Sequence, residues 1–359
     1  MLKAKFKFFC IEYTHNRSKN SEYRKQKLVQ ELNESEHKLA TEPQNGELQR
    51  KTLQLKRDLE LQEIKQAQGA HVRSRAKWTE DGEKNTKYFL RLEKNRSATN
   101  TIFNLQIGDH YTDNPTEILD KIKRFYENLY KQTEPANVNR KIKTHFLSDE
   151  IYPTLTDDER AECDKEITVT ELTHALSLLN KDSAPGSDGL PPSFYTHFWE
   201  KLQIPFFKCI LQSIEKGELP FTLKNGTITL IHKGKNLDRN DLSNYRPITL
   251  TNTDYKIFTK ALALRLQKVI KTIVNEDQIG FVKGRNIASH LRLFDDLAKY
   301  LSQKNRSGAL VALDFSKAFD TLSKRCIKEA LDIFNFGSHF QKLIQTAMEA
   351  TQSCVQNGG

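Results

Sequence analysis

The sequence predicts an α/β chain of the α+β type, mostly helical by content, that opens with a helical hairpin. Three observations carry this. Two long runs near the N-terminus are built from Lys, Glu, Gln and Leu, all strong helix formers. Later stretches place apolar residues at helical spacing behind N-cap signatures. Between them lie only a few short β-rich runs, of which "NGTITLIHK", "ITL" and "GALVALD" are the clearest.

The elements follow in order. Residues 21–40 and 47–70 carry spaced leucines (Leu28, Leu32, Leu39; Leu48, Leu55, Leu59). "TEPQNGE" between them holds Pro43 and Gly46, which end one helix and turn the chain into the next. A short antiparallel coiled coil results, open to two readings: a solvated spacer or a nucleic-acid arm. "SRAKWTEDGEKNTKYFLRLEKNR" then interleaves Trp78, Tyr88 and Phe89 with Lys77, Lys84, Lys87, Arg91, Lys94 and Arg96. Aromatics among cations suit stacking on bases while phosphates are neutralised. The same pattern also describes an amphipathic helix with its rings turned inward.

Around Gly108 and Asp109 the sequence predicts a small β-hairpin, followed by a helix with Pro115 in its first turn. Residues 135–156 read as a polar linker. Thr168 or Thr170, with Glu171 near N3, predicts a capped helix ending near Lys181. After a loop, residues 193–216 predict a helix and "NGTITLIHK" a strand. "TDYKIFTKALALRLQKVIKTIV" then predicts a long helix with Ile257, Leu262, Leu264, Leu266, Val269 and Ile270 at helical spacing.

Charge narrows the partners. The chain has 359 residues and a formal net charge of +10. Residues 221–292 hold 13 Lys/Arg against 5 Asp/Glu. A local basic excess favours polyanions, nucleic acid before anionic membrane, although solubility alone also calls for charge. Cys10, Cys163, Cys209, Cys326 and Cys354 form no CxxC pair and have no His at ligand spacing, which argues against a disulfide framework or zinc site. "MLKAKFKFFC" lacks the apolar core of a signal peptide, and no run reaches the roughly 18 apolar residues of a membrane helix. The expectation is a soluble protein of cytoplasm or nucleus, not secreted and with no membrane partner.

Four stretches could carry chemistry. "SAPGSDGLPPSFY" packs Pro185, Gly186, Gly189, Pro191 and Pro192 into a tightly turned loop. "LIHKGKNLDRNDLSNYRPITL" predicts a β-hairpin that presents Lys233 and Arg246 to one side, with Lys235 next in line. A point charge beside a bidentate fork suits a triphosphate, and two snorkelling surface cations would look the same. "DQIGFVKGR" sets Lys283 and Arg285 just before a helix starting near Asn286. Cations there oppose the helix dipole unless an anion is bound. Finally, Ala309–Leu313 reads as a buried central strand that delivers Asp314 to the mouth of a sheet, where phosphoryl transfer needs oxygen ligands for Mg²⁺.

In this order and at these separations the motifs resemble the reverse transcriptase of LINE-type (non-LTR) retrotransposons, from about Ser74 onward. The resemblance implies a partial right-hand polymerase, fingers and an incomplete palm, behind the helical hairpin. It implies RNA-directed DNA synthesis from an RNA template and a DNA primer by two-Mg²⁺ catalysis. Asp314 would be the first catalytic aspartate and metal ligand. Lys233 and Arg246 would contact dNTP phosphates, and Phe319 would be the aromatic gate that excludes a 2′-OH. The "DQIGFVKGR" turn, with Lys283 and Arg285, would lie on template or primer backbone, and Lys235, Trp78 and Lys87 are further nucleic-acid candidates. Asp320 is read as structural.

The implied domains are a helical extension (1–73), a linker region with a small hairpin and helix (74–150), and the N-terminal part of the polymerase (151–359). The family's second carboxylate motif, (F/Y)ADD, and its RQG motif do not occur in this sequence. The expectation is therefore a chain truncated before them and inactive alone. The alternative is a non-catalytic RNA- or DNA-binding protein derived from a retroelement.

Overall fold

A computed structural model describes residues 2–74, 101–107, 110–131, 152–234, 236–315 and 317–357. Two compact units are present. The first comprises Met1–Gln106, Thr229–Arg246 and Gln356–Gly359; the second comprises Ile107–Ile228 and Pro247–Val355.

In the first unit, α1 (Leu2–Thr41) and α2 (Gly46–Ser74) form the expected hairpin. Ser35 Oγ meets Thr52 Oγ1 at 2.8 Å, and Lys56 pairs with Glu36 at 2.8 Å. Farther from the turn, Gln62 bonds Ser21 Oγ at 2.6 Å and Lys25 pairs with Glu63 at 3.3 Å. Partners rise on one helix as they fall on the other, which is antiparallel register. The seam is largely polar: of the leucines named above, Leu55 is buried, beside Ser35 and Thr52.

The second unit holds the main apolar core. β1 (Leu105–Ile107) pairs with β2 (His110–Thr112), and α3 (Pro115–Tyr130) follows with Asn114 capping Thr116 N–H. Both match the sequence expectation. α4 (Asp157–Asp164) was not foreseen, although "TDDE" spells its capping box, Thr156 with Glu159. α5 (Val169–Ser177) has the same device in Thr168 and Glu171. It stops short of Lys181 because Asn180 folds back on itself, its side chain accepting from Asp182 N and its carbonyl from Ser183 N. α6 (Pro192–Lys216) ends on Gly217 at φ 73°, a left-handed cap that glycine adopts without penalty.

After the short α7 (Phe221–Lys224), β3 (Asn225–His232) and β4 (Tyr245–Thr251) are neighbours in a sheet of order β4-β3-β5, with β5 at Gln352–Gln356. Gly226, Ile228 and Leu230 are buried in alternation. A Cβ on Gly226 would stand 2.6 Å from Thr249 Cγ2 and 3.0 Å from Ser353 Oγ, so this position excludes a side chain.

α8 (Thr253–Ile273) is the spine of the core. Ile257, Phe258, Ala261, Leu262, Arg265, Val269 and Ile273 form its buried stripe, packed with Leu172, Ile210, Phe340 and Leu343. Arg265 stands at a core position and is only 4% exposed. Its Nε donates to Glu171 Oε1 at 2.6 Å and Nη2 to Oε2 at 2.8 Å. The same guanidinium donates to the carbonyls of Cys163 (3.1 Å), Lys165 and Glu166 (2.7 Å). One side chain thus joins α8 to the end of α4 and the start of α5. Burial raises the Glu171 pKa, but the Arg265 hydrogen bonds and charge, with the Thr168 bonds, outweigh it and hold the carboxyl below its usual value.

α9 (Ala288–Gln303), α10 (Ala318–Thr321), α11 (Lys324–Ile333) and α12 (Ser338–Met348) complete the unit. One expectation is overturned here. Residues 309–315 form no strand, and Leu310, Val311 and Leu313 are 75%, 74% and 89% exposed. An apolar run becomes a central strand only where neighbouring strands take its N–H and C=O groups and other layers cover both faces. No described strand pairs with these residues.

Candidate functional site

The "SAPGSDGLPP" loop belongs to the second unit and is fastened to the start of α8. Gly189 sits at φ 74°, and its N–H closes a turn onto Gly186 O at 3.1 Å. Asn252, 1% exposed, accepts from Asp188 N–H at 3.2 Å and donates to Thr222 O. A Cβ on Gly186 would lie 2.2 Å from Asn252 Oδ1, so the loop can approach this closely only with glycine there. Thr253 Oγ1 donates to Leu190 O at 2.7 Å and Lys256 Nζ to Ala184 O at 3.1 Å. Burial lowers the Lys256 pKa, against the opposing pull of Asp188. Sequence reasoning missed Asn252. Its signal was an Asn directly before a helix, yet its side chain makes no cap and holds the loop instead.

The β3–β4 hairpin end lies in the first unit. His232 and Tyr245 stack edge-on across the strands with centroids 5.1 Å apart, so they share a face. Arg246 is exposed on β4, and Lys233, the residue that follows β3, is exposed as well. Lys233 N–H bonds Asn244 O at 2.9 Å, and its ammonium rests on Ser243 O at 2.7 Å. Asp241 steadies the returning turn through Ser243 N–H at 2.8 Å, and Tyr245 Oη donates to Arg239 O at 2.8 Å. Lys235 lies outside the described residues.

The "DQIGFVKGR" segment is a compact turn of the second unit. Arg285 Nη1 donates to the carbonyls of Asn275 and Gln278, and Nη2 to Val274 O at 3.2 Å. These donors close the turn from within. Phe281 is held at φ 64° and is 89% exposed; Gly284 has φ 85°. Lys283, also exposed, projects from this rigid frame. The helix begins at Ala288, two residues later than expected.

Also in the second unit, Asp314 lies exposed in the extended run before the Lys317 turn. Phe319 is 83% exposed and meets Phe281 edge-to-face, centroids 5.9 Å apart. That pairing, which joins the turn before α9 to the residues after Asp314, has no local signal in the sequence. Asp320 Oδ1 accepts from Tyr130 Oη at 3.3 Å. Trp78 and Lys87 lie outside the described residues.

Residues 231–358 match the family model described as reverse transcriptase (RNA-dependent DNA polymerase). The chain is 30% identical over 357 residues to the Transposon TX1 uncharacterized 149 kDa protein of Xenopus laevis, covering 98% of this chain and 26% of that protein. It is 30% identical over 178 residues to a Retrovirus-related Pol polyprotein from the type-1 retrotransposable element R2 of Popillia japonica. That match covers 50% of this chain and 24% of the relative.

Residues 231–358 are thus similar to reverse transcriptases, and the chain as a whole resembles proteins of LINE-type retrotransposons.

A type-2 R2DM Pol polyprotein of Drosophila melanogaster is 25% identical over 191 residues, covering 53% of this chain and 17% of the relative. The chain thus spans about a quarter of the TX1 and Popillia relatives' length. Reverse transcriptases use divalent metal ions, which take several oxygen ligands each. Among the described residues no three His, Cys, Asp or Glu side chains converge on a metal position, and Asp314 supplies a single carboxylate. The described residues do not fit a two-ion centre by themselves. No described helix is long and apolar enough to cross a membrane.

Proposed function

We propose that this chain forms the fingers and first part of the palm of an RNA-directed DNA polymerase that copies an RNA template from a DNA primer. The observation that carries the reading is that Lys233 and Arg246 are both exposed at the end of a hairpin that lies within the matched residues. In this role Lys233 exchanges the Ser243 carbonyl for the dNTP phosphates as a point charge, and Arg246 is a planar fork that grips two phosphate oxygens. Phe319 stands against the sugar and excludes a 2′-OH. Lys283 meets template or primer backbone from a turn that Arg285 braces, and Lys235, Trp78 and Lys87, outside the described residues, are further candidates for nucleic-acid contact.

Asp314 would offer Mg²⁺ one carboxylate of the several that a two-ion centre needs. No bond-forming step is assigned to the described residues. Residues 1–73 serve as a helical extension, 74–150 as a linker region and 151–359 as the polymerase portion, acting in cytoplasm or nucleus.

Photo-crosslinking with a dNTP carrying an azide on its terminal phosphate tests the assignment. Label should fall on peptides within residues 229–246 and be lost in Arg246→Ala. Labelling spread evenly over the basic surface, unchanged in the variant, would refute it.

A second reading, a retroelement-derived protein that binds RNA without catalysis, is favoured by the basic excess of residues 221–292, 13 Lys/Arg against 5 Asp/Glu. It expects RNA affinity that falls steeply with salt, by about 0.7 in log–log slope per phosphate contacted, and that survives Asp314→Ala. Template-dependent primer extension by the purified chain would exclude it.

A further inference from the structure

The turn that carries Phe319 is held by a helix outside the residues matched as reverse transcriptase. α3 precedes the matched segment 231–358 by about a hundred residues, yet packs on α10 within the second unit. The end of α3 meets the turn at two places. Tyr130 Oη donates to Asp320 Oδ1 at 3.3 Å, and the ring of Phe125 lies under Lys317 Nζ, 4.8 Å from its centroid.

Lys317 has φ 53°, a left-handed conformation that non-glycine residues hold only when their surroundings impose it. Inside the turn its carbonyl accepts from Asp320 N–H at 2.9 Å and Thr321 N–H at 3.1 Å. Phe319 therefore rides on one strained turn, both ends of which are fastened to α3. Being 83% exposed, the ring has little packing of its own to fix it beyond the edge of Phe281. Where the turn goes, the ring goes.

We infer that Tyr130 is a positioning residue: by holding Asp320 it sets where Phe319 stands, and so how sharply deoxyribose is distinguished from ribose. Phe125 supports it by anchoring Lys317. The inference rests on the proposed role of Phe319 as a sugar gate. Burial, then the charge of Asp320, push the Tyr130 pKa up to about 12, so the phenol stays a proton donor at every working pH.

Tyr126 supplies the control. It lies on the same helix, is 3% exposed, and its hydroxyl has no hydrogen-bond partner among the described residues. Tyr126→Phe should therefore change neither readout below.

Two measurements on the full chain decide the matter. The first is amide hydrogen exchange across residues 317–321. Tyr130→Phe and Asp320→Ala should each speed it roughly threefold to tenfold, the factor that one net hydrogen bond sets, with exchange elsewhere unchanged. Exchange equal to wild type would overturn the clamp. The second is the affinity ratio for a dNTP over the matching rNTP. Tyr130→Phe should move this ratio severalfold toward the value of Phe319→Ala while dNTP affinity itself holds within about twofold. A ratio unchanged beside a clear Phe319→Ala effect would overturn the positioning role. If wild type and Phe319→Ala do not discriminate at all, the sugar-gate reading fails, and the exchange result still decides the clamp.

Discussion

Arg265→Met removes the staple of the second unit while keeping a side chain of similar length in the core. Its cost can be worked from the contacts. The carbonyls of Cys163, Lys165 and Glu166 lose their donor, at about 1 kcal/mol each. Glu171 loses a two-pronged partner, but its side chain is 30% exposed, so water recovers part of the loss and about 1 kcal/mol remains. The total is about 4 kcal/mol, within the usual range for breaking a buried pair. Urea unfolding followed by Trp199 emission in a Trp78→Phe background reads it, since Trp199 sits in the same core and donates to Thr173 at 2.8 Å. The midpoint should drop by roughly 1–2 M. The double variant Arg265→Met/Glu171→Gln should recover part of the loss by removing the stranded carboxylate. A loss under about 1 kcal/mol would show that the guanidinium contacts contribute little to the stability of this unit.

Further outcomes follow from the same structure. The folded pKa of Glu171 is depressed, so its contribution is full above the unfolded value of roughly 4.3 and fades as pH falls through the folded one; Glu171→Gln should flatten that acid limb in pH-dependent unfolding. Gly186→Ala drives a methyl into Asn252 and should lower stability by roughly 2–4 kcal/mol in urea melts, whereas Gly46→Ala, with open space around it, should cost under about 0.5. Leu313→Ser should leave stability within about 0.5 kcal/mol, because the side chain is already 89% exposed; a loss above about 2 would mean that the run is buried after all.

Helices were largely legible in the sequence because their signals are local. The Thr168–Glu171 capping box, Pro at the first turn of α3 and α6, and Gly217 as terminator each act within a few residues. The hairpin of α1 and α2 followed from Pro43 and Gly46 in the same way. The strand at 309–313 failed because strand formation depends on partners that a local apolar run cannot specify.

The candidate site divides along the same line. The hairpin that carries Lys233 and Arg246 was legible from its two β-rich runs and the turn residues between them. Asn252 beneath the glycine loop, Phe281 beside Phe319, and Tyr130 under Asp320 were not foreseeable, since each contact joins residues far apart in the chain. Arg265 lay between: a charge on the apolar stripe of a long helix signals a buried partner without naming Glu171.

The claim that Lys233 and Arg246 form a phosphate-binding site is tested most directly by equilibrium titration of the full chain with a dNTP and its monophosphate. Triphosphate should bind more tightly, with an affinity weakened roughly tenfold in Arg246→Ala and in Lys233→Ala, and monophosphate affinity should be almost unmoved. Triphosphate affinity equal in wild type and both variants would contradict it.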